Sequence, residues 1–239
     1  MGSEHALESH LWNGLDRVAS RTNIEDGEMS SPPVESATYF EQWQKLVPSG
    51  GFMHDAAHVN HPARITYTKL IADVSKTVLD VGCGISVDHP RFRDAGVEYF
   101  GLDVTPAYLK IGQLTGIPKD HLFLGNVLSL PFPDSYFDSV YSNGMLEHLP
   151  PDTWKQAIRE MFRVCRKQAL LIFFIPLVKG STIYLPQAAW PIFWGHAYGE
   201  DDLRIFFSQL GATVKILEPI NSLAAHYPPE TIIVAKKNI

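Results

Sequence analysis

From residue 75 onwards, short runs of β-branched residues alternate with segments whose apolar residues recur at helical spacing. Seven runs have the composition of strands: residues 77–81, 98–102, 121–124, 137–142, 169–175, 212–217 and 231–235. Helical patterns cover residues 61–74, 87–95, 106–114 and 152–166. Because strand–helix–strand alternation produces parallel strands, the sequence predicts an α/β fold. The last two strands are joined by a proline-containing loop, which predicts an antiparallel pair at one edge of the sheet.

The first 36 residues differ in composition from the rest of the chain. Apolar residues recur at helical spacing over residues 4–21, which predicts an amphipathic helix. Residues 22–36 are rich in Gly, Ser and Pro, as in a linker or a flexible lid. We therefore divide the chain into an extension, residues 1–36, and a single domain, residues 37–239. The apolar stripe of the extension leaves a lid, a dimer contact and a disordered leader open.

The charge and the cysteine content exclude several classes of protein. The 20 Lys and Arg residues against 26 Asp and Glu give a net charge of −6, without a basic run, which disfavours nucleic acid or an anionic membrane as partner. No segment approaches the ~20 apolar residues of a membrane span, and the N-terminus lacks the pattern of a signal peptide. Cys83, in a turn, and Cys165, in a predicted helix, offer neither a disulfide framework nor a zinc site. The sequence predicts a cytoplasmic protein.

A glycine-rich turn follows the first predicted strand. Gly82 and Gly84 flank Cys83, and such glycines let a main chain approach a ligand next to the free N–H groups of a following helix. The turn alone is as typical of a tight strand-to-helix connection. However, Asp103 lies at the end of the next strand, where a carboxylate can accept both ribose hydroxyls of a nucleoside. The two features together predict a nucleoside cofactor.

A third element completes a recognisable order. Residues 125–138 contain Leu-Pro-Phe-Pro-Asp at 130–134 and lead into the next strand. With this element, residues 60–239 resemble the class I S-adenosylmethionine-dependent methyltransferases, especially the type 11-like small-molecule group similar to the ubiquinone and menaquinone biosynthesis enzymes. The resemblance implies a Rossmann-like, seven-stranded, mostly parallel sheet with helices on both faces and an antiparallel edge strand. It also implies S-adenosylmethionine as cofactor and S-adenosylhomocysteine as product.

The resemblance implies ten cofactor-binding residues. They are Asp80, Gly82, Cys83 and Gly84 along the methionine part, Asp103 and Val104 at the ribose, Asn126 and Val127 beside adenine, and Ser142 and Asn143 beside the transferred methyl. Three positions depart from the family pattern: Ser86 replaces a usual Gly, Asn126 a usual Asp, and residues 166–169 a usual Arg-Pro-Gly-Gly turn. Asn126 keeps a carbonyl that can accept from the adenine amino group.

The histidines are the candidate general bases. Methyl transfer from a sulfonium is an in-line displacement, so alignment and exclusion of water matter most, and a base helps only a protonated acceptor. We rank His196 first and His148 second, although His148 is equally suited to holding its loop. His54, His58 and His61 have i, i+4, i+7 spacing. They fit an acceptor pocket or a metal, but we favour a polar face with histidines near a helix end, and no metal site is predicted.

An aromatic segment at residues 179–202 follows the fifth strand. Its large side chains are Tyr184, Trp190, Phe193, Trp194 and Tyr198. In the resembled family an insertion here covers the acceptor, and aromatic side chains suit a flat or apolar molecule. Ordinary packing of the loop onto the sheet would account for at least half of them. The expected partner is a small organic acceptor, with a homodimer left open.

Three other functions are alternatives to small-molecule methylation. A nicotinamide dehydrogenase needs Gly-x-Gly-x-x-Gly, and residue 87 is Val where its last Gly belongs. A nucleic-acid base is disfavoured as acceptor because residues 142–145 lack the Asp/Asn-Pro-Pro-aromatic element. A non-catalytic S-adenosylmethionine-binding regulatory protein of the same fold stays open. We expect O-methylation first, with N- and C-methylation as alternatives.

Overall fold

The computed structural model describes residues 59–185, 195–224 and 227–238. The predicted N-terminal extension, residues 1–36, lies outside the described residues. So do five side chains named above: His54, His58, Trp190, Phe193 and Trp194. Within the described ranges, no helix has both the length and the apolar character needed to cross a membrane.

Nine strands and five α-helices make up the described part of the chain. The strands are β1 (Thr77–Val81), β2 (Glu98–Asp103), β3 (Leu122–Leu124), β4 (Phe137–Asn143), β5 (Cys165–Phe173), β6 (Ile183–Leu185), β7 (Gly195–Ala197), β8 (Ala212–Ile216) and β9 (Thr231–Lys237). The helices are α1 (Pro62–Ala72), α2 (His89–Asp94), α3 (Pro106–Leu114), α4 (Trp154–Val164) and α5 (Glu200–Gln209).

Seven of these strands form one sheet in the order β3-β2-β1-β4-β5-β9-β8. The first five strands in this order are parallel to one another, and β9 runs antiparallel to both β5 and β8. This arrangement confirms the predicted Rossmann-like, mostly parallel sheet and the antiparallel pair at one edge. The reversed strand, β9, is the inner member of that pair.

Each face of the sheet carries a separate apolar core. Leu79 and Val81 of β1 point towards the cluster that contains Ile158 of α4 and Phe206 of α5. Val78 points the other way, into the cluster that α1, α2 and α3 share. Because side chains alternate along a strand, Asp80 lies on the same face as Val78, under α1 and α2. The helices on both faces are therefore as predicted.

The boundary between α4 and β5 differs from the sequence-based prediction. The helical pattern was expected to continue to residue 166, which placed Cys165 in a helix, but β5 begins at Cys165 directly after α4. Arg166 donates to Asp138 of β4, and the Lys167 ammonium lies 3.2 Å from the same carboxylate. These ion pairs hold residues 166 and 167 beside β4, where the resembled family usually has an Arg-Pro-Gly-Gly turn. They lower the pKa of Asp138 to about 2, together with a hydrogen bond from the Lys76 N–H and against the opposing effect of burial.

The aromatic segment contains a second, two-stranded sheet that the sequence did not indicate. Strands β6 and β7 pair antiparallel, with Tyr184 opposite His196. Three-residue strands are too short to leave a periodic pattern. The pairing places His196 next to the turn that follows β4, because β7 packs against that turn.

Candidate active site

Four parallel strands bring the predicted cofactor residues to one edge of the sheet. Strand β1 lies between β2 and β4, and β3 lies on the far side of β2. Their carboxyl ends therefore meet, and the segments that follow them begin at Gly82, Val104, Gly125 and Gly144. The connections leave β1 and β4 towards opposite faces, and this switch point is where open α/β sheets bind ligands.

The glycine turn has a backbone shape that other residues adopt at a cost. Gly82 and Gly84 have φ angles of +75° and +51°. The N–H groups of Gly82 and Cys83 both donate to the carbonyl oxygen of Leu102, at 2.8 and 3.1 Å, which fixes the turn against the end of β2. Ser86 also has a positive φ, 60°, where the resembled family has glycine. Ser86 therefore adopts a conformation that glycine takes more easily, with local strain.

Gly82→Ala is expected to destabilise the protein by about 2–4 kcal/mol. A Cβ on Gly82 would lie 2.5 Å from Cγ of Met145, and the positive φ adds a cost of its own. Gly96→Ala is the matched control, because Gly96 has φ +70° and nothing within 4 Å of a Cβ. Urea unfolding should show a larger loss for Gly82→Ala than for Gly96→Ala. Equal losses at the two glycines would contradict this geometry.

Asp103 holds the glycine turn to the end of β2. Its Oδ2 accepts from the N–H of Gly84 at 2.9 Å, and its Oδ1 accepts from the N–H of Thr105 at 2.8 Å. Burial raises the pKa of this carboxyl, and these backbone hydrogen bonds oppose the rise. Each carboxylate oxygen has a second lone pair, so Asp103 can still accept two ribose hydroxyls.

The predicted adenine-side residues lie after β3. Asn126 is half-buried, and its Oδ1 accepts from the N–H of Leu128 at 2.9 Å, which orients the amide. That oxygen keeps one lone pair for a ligand amino group. Val127 is buried and packs into the core beside Leu102, and Val104 is half-buried.

The side chains of Asp80 and Cys83 lie inside the protein. The Asp80 carboxylate accepts from the hydroxyls of Tyr99, at 2.7 Å, and Tyr141, at 2.6 Å. The Cys83 thiol lies close to Gly101, where a Cβ would come within 2.8 Å of its Sγ, and burial raises its pKa well above the ordinary value. Cys83 can therefore contribute its backbone to the site, while Asp80 braces the strands beneath it.

A buried polar network connects α1 to this edge of the sheet. The Arg64 guanidinium donates to Oδ2 of Asp88 at 2.6 Å, and the Tyr67 hydroxyl donates to the same oxygen at 2.5 Å. The Asn143 amide in turn donates to the Tyr67 hydroxyl at 3.3 Å. We call Arg64, Tyr67, Asp80, Asp88, Tyr99 and Tyr141 the Arg64 network. The sequence did not reveal it, because a lone Arg in a helical pattern usually faces solvent.

Unpartnered polar groups follow β4. Ser142 Oγ and Asn143 Oδ1 are buried and form no hydrogen bond. Glu147 is fully buried; its Oε1 accepts from the N–H of Phe174 at 3.0 Å, and its Oε2 forms no hydrogen bond. Burial raises the pKa of Glu147 to about 8. Glu230, which precedes β9, is also fully buried with neither oxygen hydrogen-bonded, and burial raises its pKa to about 7. No pattern in the sequence indicates that either carboxyl is buried.

His196 is fully buried against aromatic rings. Its ring centroid lies 4.8 Å from that of Tyr184 and 5.7 Å from that of Tyr198. Neither ring nitrogen forms a hydrogen bond. Burial, with a smaller effect of the His148 charge, lowers the pKa of His196 to about 3. His196 therefore offers a lone pair of low basicity, and His148, whose ring lies 5.5 Å from Phe174, is its neighbour.

His61 lies at the helix end that the favoured interpretation proposes. Its Nδ1 accepts from the N–H of Ala63 at 3.2 Å and thereby caps α1, while its Nε2 lies 3.1 Å from the carbonyl oxygen of Pro228. Across residues 59–185, 195–224 and 227–238, no three His, Cys, Asp or Glu side chains cluster in a way that could hold a metal ion.

The buried titratable groups make stability depend on pH in two opposite ways. Burial lowers the pKa of three histidines below 6.5: His61, His89 and His196. Because these groups take up protons more readily when unfolded, stability rises with pH up to about 6.5. Burial raises the pKa of three acids: Asp80 to about 7, Glu147 to about 8 and Glu230 to about 7. The native acids retain protons that the unfolded chain loses near pH 4, so their contribution to stability falls as the pH rises from about 4 to about 8.

Stability is therefore expected to fall by about 3–4 kcal/mol between pH 6.5 and 8.5, where the histidines no longer oppose the acids. The estimate takes about 1.4 kcal/mol per pH unit for each acid over the part of this window in which it still holds its proton. Urea unfolding at pH 6.5, 7.5 and 8.5 measures the loss. Glu147→Gln should reduce the slope, because the amide does not titrate. A stability that rises between pH 6.5 and 8.5 would contradict these protonation states.

Comparison with known proteins agrees with this geometry. Residues 79–173 match the methyltransferase domain family. An uncharacterized methyltransferase of Mycobacterium leprae is 33% identical over 127 residues, which is 53% of this chain and 42% of that protein. The demethylmenaquinone methyltransferase of Renibacterium salmoninarum is 27% identical over 145 residues, 59% of this chain and 58% of that protein. The chain thus spans about half the length of these curated relatives. The match confirms the predicted resemblance.

A solved structure has the same fold. The 1,6-didemethyltoxoflavin N1-methyltransferase of Burkholderia thailandensis superimposes with a TM-score of 0.68 and 16% identity, over 88% of this chain and 94% of that one. That protein was crystallised with 1,6-didemethyltoxoflavin and S-adenosylhomocysteine. At this identity the similarity concerns the fold alone.

Proposed function

We propose that this chain, in which residues 79–173 match the methyltransferase domain family, transfers a methyl group from S-adenosylmethionine to a small organic acceptor. The observation that carries the proposal is the junction of the glycine turn with Asp103. Oδ2 of Asp103 is held 2.9 Å from the Gly84 nitrogen at the switch point of the sheet. At this junction, two glycines let the cofactor approach the main chain, and the Asp103 carboxylate lies beside them as an acceptor for the ribose hydroxyls.

The residues present fit this cofactor. Buried hydroxyls without hydrogen-bond partners lie along the proposed binding edge: Ser86, Thr105 and Ser142. Buried polar groups are rarely left unpaired, so hydroxyls of this kind favour a polar ligand at the site. In the proposal, Gly82, Cys83 and Gly84 contact the methionine part through their backbone. Asp103 and Val104 hold the ribose, Asn126 and Val127 hold adenine, and Ser142 and Asn143 flank the methyl group.

The main contribution of the protein to this reaction is to align the acceptor with the methyl group of the donor. S-adenosylmethionine, when bound, supplies an electrophilic methyl group on a sulfonium. In the proposal, the turn after β1 holds the methyl donor. Asn143, which Tyr67 orients, lies on the side from which the acceptor approaches. Fixing both partners in an in-line arrangement supplies much of the rate enhancement in such a displacement. The two aromatic residues Tyr184 and Tyr198 lie beside His196 and would exclude water there.

The acceptor side of the proposal concerns the end of β4 and residues 179–202. We propose that this insertion, within a single domain over residues 37–239, covers a partly aromatic or apolar acceptor. His196 and His148 stay our base candidates for O-methylation. The low pKa of His196 favours an acceptor that arrives already deprotonated, or an amine, since a base of that pKa is protonated only in acid.

We also propose a cytoplasmic location. Both cysteines, Cys83 and Cys165, are free and buried, as suits a reducing compartment. Homodimer formation through residues 4–21 is the partner interaction that the apolar stripe in that segment would support.

A methyl-transfer assay tests the proposed activity. The full chain is incubated with S-adenosylmethionine that carries a radioactive methyl group, and with matched phenols, aryl amines and carbon acids. Transfer to at least one class is expected, with phenols first, and NMR of the product identifies the methylated atom. Cofactor binding without transfer to any class would instead support the non-catalytic regulatory alternative.

A further inference from the structure

Two buried glutamates flank the carboxyl end of β5. Glu147 lies in the 3₁₀ turn Leu146–His148 after β4, and its carboxylate accepts from the N–H of Phe174, the residue after β5. Phe173 pairs with Thr231, so Glu230 lies on the other side of the same strand end. Glu147 thus accepts from the residue that follows Phe173, and Glu230 directly precedes the residue opposite Phe173. We call Glu147 and Glu230 the glutamate pair.

Most oxygens of the glutamate pair have no hydrogen-bond donor. Both side chains are 0% exposed, and three of their four oxygens form no hydrogen bond: Glu147 Oε2, Glu230 Oε1 and Glu230 Oε2. The Asn143 Oδ1 atom, also unpartnered, adds a further acceptor on the proposed methyl side. Since buried acceptors are nearly always paired, this group of atoms favours a ligand that donates several hydrogen bonds.

Neither of the basic side chains next to Glu230 neutralises it. His61 Nδ1 lies 3.6 Å from Glu230 Oε2, but that nitrogen accepts from the Ala63 N–H and so presents a lone pair. The pKa of His61 is lowered by burial, which favours its neutral form. Arg64 is committed to Asp88 at 2.6 Å. The guanidinium reaches Glu230 only as a more distant charge, which lowers the pKa of Glu230 against the larger effect of burial.

The count of buried charges on this face leaves an excess of acid. The buried carboxyls include Asp80, Asp88, Glu147 and Glu230, and both nearby arginines, Arg64 and the partly exposed Arg91, pair with Asp88. Arg64 is the one buried Lys or Arg within residues 59–185, 195–224 and 227–238. Buried charges are stable only when they are paired or neutralised. The excess must therefore be met by protons or by a cation from outside.

We propose that the glutamate pair binds a cationic, hydrogen-bond-donating nitrogen group, an ammonium or amidinium, on the methyl acceptor. The inference rests on the proposed function and names the substrate class of that same site. A cationic nitrogen group supplies both the missing charge and several N–H donors, whereas a carboxylate or phosphate would meet two like charges. Glu147 lies in the turn that directly follows β4, and Asn143 is the last residue of that strand, so the proposed subsite belongs to the same end of the sheet as the proposed methyl site.

Three shape-matched probes test the charge preference. Benzamidine, benzamide and benzoate are titrated calorimetrically into the full chain with S-adenosylhomocysteine present. Benzamidine is expected to bind at least tenfold more tightly than benzamide, and benzoate least. Glu147→Gln and Glu230→Gln should each weaken benzamidine binding tenfold or more. Glu218→Gln, which removes an exposed acid, is the matched control and should leave the affinity unchanged.

Titration of S-adenosylhomocysteine into each variant separates the outcomes. Unchanged affinity in the Gln variants shows that they are folded. The proposal is overturned if wild type binds benzamide as tightly as benzamidine, or if both Gln variants bind benzamidine like wild type. In either case the glutamates are protonated structural groups only. Absence of S-adenosylhomocysteine binding in wild type would instead contradict the proposed function, whatever benzamidine does.

Discussion

Asp103→Ala is expected to weaken S-adenosylmethionine binding by at least about 100-fold. The substitution removes the proposed acceptor of two ribose hydroxyls, and hydrogen bonds to a charged group contribute about 1.5–3 kcal/mol each. It also removes the contacts that hold the Gly84 and Thr105 N–H groups, at 2.9 and 2.8 Å, so the glycine turn loses its anchor on β2. Isothermal titration with S-adenosylmethionine measures the loss.

Two further variants make the Asp103 result specific. Asp103→Asn keeps the shape and one acceptor oxygen, so it should lose less affinity than Asp103→Ala. Asp94→Ala removes an exposed acid, 68% accessible, at the end of α2 and should bind like wild type. An Asp103→Ala affinity within threefold of wild type would place the ribose elsewhere.

Arg64→Met is expected to destabilise the protein by about 3–5 kcal/mol. Removal of one partner of a buried ion pair is strongly destabilising, and Asp88, whose side chain is 3% exposed, would keep only the more distant and partly exposed charge of Arg91, 3.5 Å from its Oδ1. The Tyr67 hydroxyl would still donate to Asp88, but a neutral donor does not balance the charge. The free energy of unfolding in urea at pH 6.5 measures the effect.

A surface ion pair is the matched control for Arg64. Arg204 and Glu200 lie 3.8 Å apart on α5 with half-exposed side chains, and such pairs contribute at most about 1 kcal/mol. Arg204→Met should therefore cost much less than Arg64→Met. Arg64→Lys keeps the charge and should recover part of the loss. If Arg64→Met and Arg204→Met cost the same, the Arg64 network contributes little to the fold.

The cofactor side of the site was predictable because its signals are local in sequence. The glycine turn, Asp103 at a strand end and the segment from Gly125 each follow one strand directly. Parallel pairing then brings the three together without further information, because carboxyl ends of parallel strands share an edge. The parallel part of the sheet follows from the same alternation, and the antiparallel final pair follows from the loop that replaces a helix between the last two strands, whereas the strand order was not predicted.

The proposed acceptor-binding residues could not be predicted from local sequence patterns because they are distant from one another in sequence. Glu147 and Glu230 come to the same end of β5 only because β9 inserts between β5 and β8. Glu230 carries no motif, and Arg64 lies in an ordinary helical pattern. Cys165 was assigned to a helix because the apolar spacing of α4 continues unbroken into β5, and only the ion pairs of Asp138 mark the boundary.

Calorimetric titration of the wild-type chain with S-adenosylmethionine, S-adenosylhomocysteine and NAD tests the central claim most directly. The edge built from Gly82, Gly84 and Asp103 is expected to bind both sulfur nucleosides with micromolar affinity and NAD not measurably. Binding of NAD in preference to either sulfur nucleoside, or binding of none of the three, would contradict the assignment of this edge as a methyl-donor site.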